Sequence, residues 1–126
     1  MKIVIIGGAG VIGQKLAGAL LARGHLRGRD IQRLTLADVA PPPALPGCLT
    51  QTVDITDPAS VARALPKDTD VVYHLAAVVS AHAEADFDTG MAVNLTGTLT
   101  VLDRLRTIAL ATGTPPVVIY TSSAAV

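Results

Sequence analysis

The sequence has few of the residues that would tie it to nucleic acid or to an oxidising environment. Its 126 residues include one cysteine, no tryptophan, two tyrosines and one phenylalanine, and ten basic side chains balance ten acidic ones. A single thiol cannot form an internal disulfide and fits a reducing compartment, so we expect a cytoplasmic protein. Without a basic excess or aromatic platforms, we expect no nucleic-acid partner.

Long apolar runs are also absent. The apolar run at residues 3–6 stops at Gly7, which makes it too short for the core of a signal peptide. A membrane-spanning helix needs about 18 consecutive apolar residues, and no stretch approaches that length. We therefore expect no membrane partner. Because half of the residues are hydrophobic and only 16% are charged, the chain is expected to fold rather than to be disordered.

Short β-branched runs alternate with longer helical stretches, which is typical of βαβ units and a parallel sheet. We expect one α/β domain over residues 1–126, built on a parallel sheet. On the first helix, Ile12, Leu16, Ala19 and Leu20 share one apolar face. The predicted strands cover residues 3–6, 34–38, 49–53, 70–75 and 117–120, and the predicted helices cover 11–23, 57–65 and 86–111.

Residues 8–13 read G-A-G-V-I-G, with Gly7 directly before them. This G-x-G-x-x-G pattern follows an apolar strand and opens an amphipathic helix, which is the arrangement of a dinucleotide-binding loop. The glycines permit a tight turn, close approach of the backbone to a pyrophosphate, and close packing of helix on strand. The alternative is a tight strand-to-helix turn without a ligand.

Asp38 ends the second predicted strand. A carboxylate at this place accepts hydrogen bonds from the adenosine ribose hydroxyls and repels a 2′-phosphate, so NAD is favoured over NADP. The spacing from the glycine motif is longer than usual, and an insertion at residues 25–32 accounts for the difference. Arg33 is the nearest base that would favour NADP, but it lies at the other end of the strand. A solvated carboxylate at a loop entrance is the alternative.

Two further strand ends carry candidate residues. Asp54 and Ile55 follow the third strand, where a carboxylate and an apolar side chain suit an adenine ring; a local cap or turn role for Asp54 is equally compatible. Residues 75–77, Leu-Ala-Ala, follow the fourth strand, and small side chains there let the chain pass close to a cofactor at the switch point of the sheet. Small residues also suit plain packing.

With these residues in place, the chain resembles the extended short-chain dehydrogenase/reductase family, the NAD-dependent epimerase/dehydratase group. The matching blocks are I-G-G-A-G-V-I-G at residues 6–13, D-I at 54–55, H-L-A-A at 74–77 and T-S-S-A-A-V at 121–126. The N-L-x-G-T segment at 94–98 also fits. Residues 78–91 further resemble the branch of this family that oxidises D-erythronate, a four-carbon sugar acid, with NAD.

The resemblance implies a Rossmann doubly wound parallel sheet with strand order 3-2-1-4-5. It also implies roles for the candidate residues, with NAD as the cofactor. The glycine loop and the first helical amides would hold the pyrophosphate, and the ends of strands two, three and four would hold the ribose, the adenine and the nicotinamide half. Asn94 would brace the site. The implied cofactor-binding residues are Gly7, Gly10, Val11, Ile12, Gly13, Asp38, Asp54, Ile55, Leu75, Ala76, Ala77 and Asn94.

Two serines are implied to serve the substrate. Ser123 matches the catalytic Ser or Thr whose hydroxyl binds the reacting oxygen, and Ser80 would touch the substrate or the nicotinamide. Backbone capping at a strand end is the alternative for Ser123. The histidines His25, His74 and His82 form no close helical pair, so we expect no metal site.

The resemblance also implies a catalytic Tyr with a Lys four residues later. Tyr73 is followed at that spacing by Ala77 and Tyr120 by Ala124, so the pair does not occur in this chain. We therefore expect the chain to be the cofactor-binding part of an NAD-dependent sugar-acid dehydrogenase, truncated before the catalytic pair and the substrate-binding portion, and inactive by itself.

Other assignments remain open at this point. A nucleotide-sugar epimerase or dehydratase would share every cofactor motif, so the small-molecule substrate is a sugar acid or a sugar nucleotide. A non-catalytic dinucleotide-binding module is a third reading, and Ser123 argues against it. Because full-length relatives dimerise through long helices, we expect a homodimer to which the helix at 86–111 contributes.

Overall fold

A parallel sheet of five strands forms the centre of the fold in the computed structural model, which describes residues 1–77 and 84–122. A short antiparallel hairpin, β2 with β3, fills the predicted insertion between the first helix and the second strand of the sheet. In chain order the strands are β1 (Lys2–Ile6), β2 (His25–Leu26), β3 (Arg29–Asp30), β4 (Arg33–Asp38), β5 (Leu49–Thr52), β6 (Val71–His74) and β7 (Val117–Tyr120).

The order of strands across the sheet is β5-β4-β1-β6-β7, and each adjacent pair is parallel. Counted without the hairpin, this is the predicted order 3-2-1-4-5, so the Rossmann prediction is confirmed. The chain runs outwards from β1 to β5 on one side and then crosses to β6 on the other. Strand order reverses beside β1, and in such sheets ligands bind at this reversal, outside the carboxyl ends of the strands.

Helices cover both faces of this sheet. Asp57 caps one of them, because its side chain accepts a hydrogen bond from the Ala59 amide at 3.1 Å and Pro58 occupies the first helical position. Gly24 ends the first helix in the left-handed conformation, with φ of 71°. The helical elements are α1 (Val11–Arg23), α2 (Pro58–Ala64), α3 (Phe87–Met91), a π-helical segment (Ala92–Gly97) and α4 (Thr98–Thr112).

The central strand β1 contributes side chains to two separate hydrophobic cores, one on each face of the sheet. Ile3 and Ile5 point to the face that α1 covers, whereas Val4 and Ile6 point to the face that α2 and α4 cover. All four side chains are almost completely buried, which explains why this strand is an unbroken apolar run rather than an alternating one.

The predicted apolar face of α1 is only partly the face that packs on the sheet. The buried residues are Gly13, Ala17 and Leu20, while Ile12 is 66% exposed and Ala19 is exposed. Small residues face the sheet because the helix lies close to the glycine loop at its start. Close approach, rather than the position of the largest side chains, decides the rotation of this helix.

The helix predicted at residues 86–111 is interrupted by the π-helical segment, which the sequence did not indicate. Val101, Leu105 and Ile108 are the buried residues of α4, whereas five other large apolar side chains between residues 87 and 102 are exposed. We call this exposed set the outer stripe, and it consists of Phe87, Met91, Leu95, Leu99 and Leu102.

Within residues 1–77 and 84–122, no helix is both long enough and apolar enough to cross a lipid bilayer.

Two glycines of α1 are expected to respond in opposite directions to alanine. A Cβ on Gly13 would lie 2.9 Å from the Gly8 Cα and closer still to the Gly7 carbonyl oxygen, whereas a Cβ on Gly18 would meet nothing within 4 Å. Gly13→Ala should lower the free energy of unfolding by about 1–3 kcal/mol. Gly18→Ala should raise it by about 0.5–1 kcal/mol, because alanine loses less backbone entropy in a helix. Urea unfolding measures both, and equal stability of the two variants would contradict the packing described for Gly13.

Candidate functional site

A cleft of about 290 Å³ opens at the carboxyl ends of β1, β4, β5 and β6. It brings together most of the residues predicted for the cofactor, although they are far apart in the sequence. The predicted residues that line it are Gly7, Gly10, Asp38, Asp54, Ile55, Leu75, Ala76 and Ala77, and the others are Ile6, Val39, Val53 and Val93.

The glycine loop between β1 and α1 lies directly against two neighbouring strand ends. Gly7 has φ of 90°, a conformation that side chains disfavour, and a Cβ there would lie 2.9 Å from the Ala76 nitrogen. The amides of Gly7 and Gly8 both donate to the Ala37 carbonyl oxygen, at 2.8 and 3.0 Å. These backbone contacts hold the loop between β4 and β6, and the Gln14 side-chain amide adds a hydrogen bond to the Gly8 carbonyl at 2.6 Å.

The start of α1 presents backbone amides rather than side chains. No side chain among the described residues caps this helix at Gly10, so its first-turn N–H groups remain available to an acceptor. Val11 and Ile12 have exposed side chains, 73% and 66%, and only their amides suit the predicted role. The positive end of the helix dipole adds to the attraction for an anion at this place.

Asp38 is fixed at the rim of the cleft by two backbone amides. Its Oδ2 accepts a hydrogen bond from Ala9 of the glycine loop at 2.9 Å, and its Oδ1 accepts one from Val39 at 2.7 Å. This carboxylate is thus held in one orientation rather than freely solvated. Arg33, at the far end of β4, is paired with Asp68 through two contacts of 2.7 and 3.0 Å, so it is directed away from the cleft.

Asp54 has the local turn role that the sequence left open. Its Oδ1 accepts hydrogen bonds from the Thr56 amide at 3.0 Å and the Thr56 hydroxyl at 2.6 Å, and these bonds lower the pKa of Asp54. Ile55 is buried and packs in the same core as Val53. It forms part of the apolar wall of the cleft, and the turn does not exclude a second role for the Asp54 carboxylate.

Val93 is the cleft residue that sequence reasoning missed most clearly. It lies in the π-helical segment, 38 positions beyond Ile55 in the numbering, and it packs against the core shared with that residue. A Cβ on Gly97 of the same segment would lie 2.6 Å from Ile55 Cγ1, so the segment contacts the end of β5 closely. No local sequence signal predicts this contact, because it depends on how the helix docks on the sheet.

The remaining predicted residues are placed as follows. Asn94 lies in the π-helical segment beside Val93, and its backbone carbonyl accepts a hydrogen bond from the Thr98 hydroxyl at 2.9 Å. Ser80 and Ser123 lie outside the residues that the structure describes, as does His82. In the described part of the chain, no group of three or more His, Cys, Asp or Glu side chains is arranged to hold a metal ion.

Residues 3–126 match the model of the NAD dependent epimerase/dehydratase family. The chain belongs to this family. Among curated members, the D-erythronate dehydrogenases of Cupriavidus necator and Haemophilus influenzae are 46% and 38% identical to it, over 100% and 84% of the chain. The chain spans 40% and 34% of the lengths of those two proteins.

A solved structure supports the same family at the level of the fold. The nucleoside-diphosphate-sugar epimerase from Agrobacterium tumefaciens is 39% identical, with a TM-score of 0.91. The match covers 100% of this chain and 38% of the epimerase. The similar proteins differ in activity, since the two curated relatives are dehydrogenases and the solved structure is that of an epimerase.

His74, within the family block H-L-A-A, is expected to make stability depend on pH. Burial lowers the pKa of His74 below its usual value of 6.5, since the charged ring is disfavoured in the core. Thr98 and Tyr120 contact the ring, and neither is a carboxylate or a cation. Above about pH 6.5 both the folded and the unfolded ring are neutral, and His74 contributes no pH dependence.

As the pH falls below about 6.5, His74 is protonated in the unfolded chain but stays neutral in the folded chain. The free energy of unfolding therefore decreases. His74→Gln should remove part of this loss between about pH 7 and pH 5.5. Urea unfolding across this range measures the slope for both proteins. An identical slope in the wild type and the variant would show that His74 does not cause it.

Proposed function

We propose that residues 1–126 form the NAD-binding domain of a dehydrogenase that oxidises a sugar acid such as D-erythronate. The observation that carries this proposal is the cleft at the switch point of the sheet, where the glycine loop and the Asp38 carboxylate are joined by a hydrogen bond of 2.9 Å. The 46% identity to a D-erythronate dehydrogenase supports the substrate class.

The glycine loop and the start of α1 are assigned to the pyrophosphate. Gly7, Gly10 and Gly13 keep side chains out of the way, and the amides of Val11 and Ile12 donate to the phosphate oxygens. The absence of side chains is essential here, because Gly7 already touches the end of β6. This assignment uses backbone groups only, so it does not depend on the side chains at Val11 and Ile12.

Asp38, Asp54 and Ile55 are assigned to the adenosine half of NAD. The Asp38 carboxylate, already oriented by Ala9 and Val39, keeps lone pairs for the two ribose hydroxyls. Ile55 and Val93 provide apolar contact for the adenine ring, and the Asp54 carboxylate accepts a hydrogen bond from the adenine amino group. No Lys or Arg occurs among the described residues that line the cleft, so nothing there would neutralise a 2′-phosphate.

The nicotinamide half is assigned to the end of β6 at Leu75, Ala76 and Ala77, with Asn94 bracing this side of the site. NAD, when bound, supplies the acceptor for the hydride that leaves the alcohol carbon of the substrate. Ser123 follows β7, which is the neighbour of β6 in the sheet. We assign its hydroxyl to the reacting substrate oxygen and Ser80 to substrate contact. The base that takes the alcohol proton is not assigned within this chain.

A nucleotide-sugar epimerase is the second candidate. It is favoured by the similarity of the fold to the Agrobacterium tumefaciens epimerase, with a TM-score of 0.91. Its cofactor residues would be the same, since only the substrate-binding portion separates the two reactions. A non-catalytic dinucleotide-binding module is the third candidate, and such a module would need no hydroxyl at Ser123.

We also propose that the protein is a cytoplasmic homodimer with a small-molecule substrate. The outer stripe supports the dimer, because its five apolar side chains, on α3, the π-helical segment and α4, are 42–69% exposed. An exposed apolar patch of this kind typically marks a contact with another protein surface.

Asp38→Asn is expected to weaken NAD binding about 10- to 100-fold, because the charged acceptor for the ribose hydroxyls is lost and the new side chain can accept from only one of the Ala9 and Val39 amides. Binding of NADP should weaken much less, since the amide no longer repels the 2′-phosphate. Titration calorimetry with both cofactors measures the change in preference.

Asp103→Asn is the matched control for this substitution. Asp103 is 74% exposed on α4 and is paired only loosely, at 3.9 Å, with Arg106. The control variant should bind NAD like the wild type. If Asp38→Asn and the control behave alike, the ribose assignment is wrong.

The substrate class is tested on the complete product of the gene that encodes this chain. We expect NAD-dependent oxidation of D-erythronate, followed as NADH absorbance, and no epimerisation of UDP-sugars. Light scattering of the same preparation should give twice the mass of one chain. Epimerisation without net NADH formation would favour the second candidate, and NAD binding without either reaction would favour the third.

A further inference from the structure

His74 is a buried polar residue to which the proposed function gives no role. It ends β6 and is only 1% exposed. Its ring lies near that of Tyr120 on β7, with 5.6 Å between the ring centroids, and its Nε2 atom is 3.0 Å from the Thr98 hydroxyl oxygen. A buried histidine is costly unless its ring nitrogens are used, so these contacts call for an explanation.

The hydrogen-bond directions follow from the donors available. The Thr98 hydroxyl is 2.9 Å from the Asn94 carbonyl oxygen, which can only accept, so the single hydroxyl proton goes to Asn94. The Thr98 oxygen must then accept from Nε2–H of His74. Neutral His74 therefore carries its proton on Nε2, and Nδ1 is left as an acceptor with no partner among the described residues.

This hydrogen-bond relay, from His74 through the Thr98 hydroxyl to the Asn94 carbonyl, joins one end of the π-helical segment to the sheet. The Thr98 amide donates to the Leu95 carbonyl, so it is the Thr98 hydroxyl that reaches the Asn94 carbonyl four residues back. At the same time, Gly97 is in close contact with Ile55. The segment is thus held from two sides, by a hydrogen bond to the end of β6 and by close packing on Ile55, three residues beyond β5.

A π-helical turn needs such a constraint. Isolated π-turns are rare, and the chain would otherwise relax towards α-helical geometry. A shift of one residue in an α-helix turns each side chain by about 100°, which would move Val93 away from the cleft that it lines. The contacts around Thr98 therefore bear directly on the shape of the cleft.

We propose that His74 is a positioning residue, which acts through the Thr98 hydroxyl to hold the π-helical segment in the register that places Val93 and Asn94 at the cofactor cleft. The proposal rests on the proposed function in so far as NAD is the ligand of that cleft. It adds a residue that touches neither cofactor nor substrate and that nevertheless controls cofactor affinity.

The test is a double-mutant cycle on the complete gene product, with NAD affinity measured at about pH 8, where His74 is neutral. Thr98→Val removes the hydroxyl and should raise the Kd for NAD about tenfold, because the competent register becomes a minor state. His74→Asn should have a similar effect, and the two should not add in the double variant. Thr98→Ser keeps the hydroxyl and should restore most of the affinity.

Thr107→Val is the matched control. The Thr107 hydroxyl also donates four residues back, to the Asp103 carbonyl at 3.1 Å, but it is exposed and contacts no histidine. This variant should leave the Kd for NAD unchanged. If Thr98→Val proves too unstable to titrate, Thr98→Ala removes the same hydroxyl and should give the same tenfold loss.

The outcomes separate the proposal from the proposed function. Variants at Thr98 or His74 that lower the melting temperature but leave the Kd unchanged would overturn the positioning role, and so would additive effects. A wild-type protein that does not bind NAD would refute both the proposed function and this proposal. Nitrogen-15 NMR gives an independent check, since His74 should be the Nε2–H tautomer; the Nδ1–H tautomer would contradict the relay.

Discussion

The contact between the glycine loop and the ends of two strands is the constraint on which the rest of the site depends. Gly7 lies against Leu75 and Ala76 beyond β6, and Gly8 lies against Leu36 on β4. Any side chain at these places would push the loop away from the sheet. Because both loop amides also donate to the Ala37 carbonyl, the loop that leads into α1 is bonded directly to the end of β4.

The hydrogen bond from Ala9 to Asp38 joins the loop to the carboxylate at the rim of the cleft as well. The carboxylate is oriented before any ligand binds, so little of the binding energy has to be used for ordering it. On the other side of the cleft, Gly97 packs on Ile55 and brings the π-helical segment to the same place. The glycines thus serve one purpose at these contacts, which is to let one backbone segment lie close to the strand ends or to the side chain beside it.

In the two long helices, the local sequence pattern predicts where a helix begins and ends better than it predicts which face is buried. The bounds of α1 and its glycine C-cap could be predicted, because caps and breakers act within a few residues. The face that packs on the sheet could not be predicted from the largest side chains, since Gly13 and Ala17 rather than Ile12 face inwards. In α4 the buried side chains are Val101, Leu105 and Ile108, and an apolar stripe remains outside.

The sequence by itself determined the strands, the order of the sheet, the glycine loop and the candidates at the strand ends, because these depend on short-range spacing and on the few topologies open to βαβ units. Only the tertiary structure decided that Val93 lines the cleft, that the helix after β6 contains a π-helical segment, and that His74 bonds to Thr98. Each of these features joins elements distant in the chain. Their geometry follows from docking of helix on sheet, which no local pattern of residues encodes.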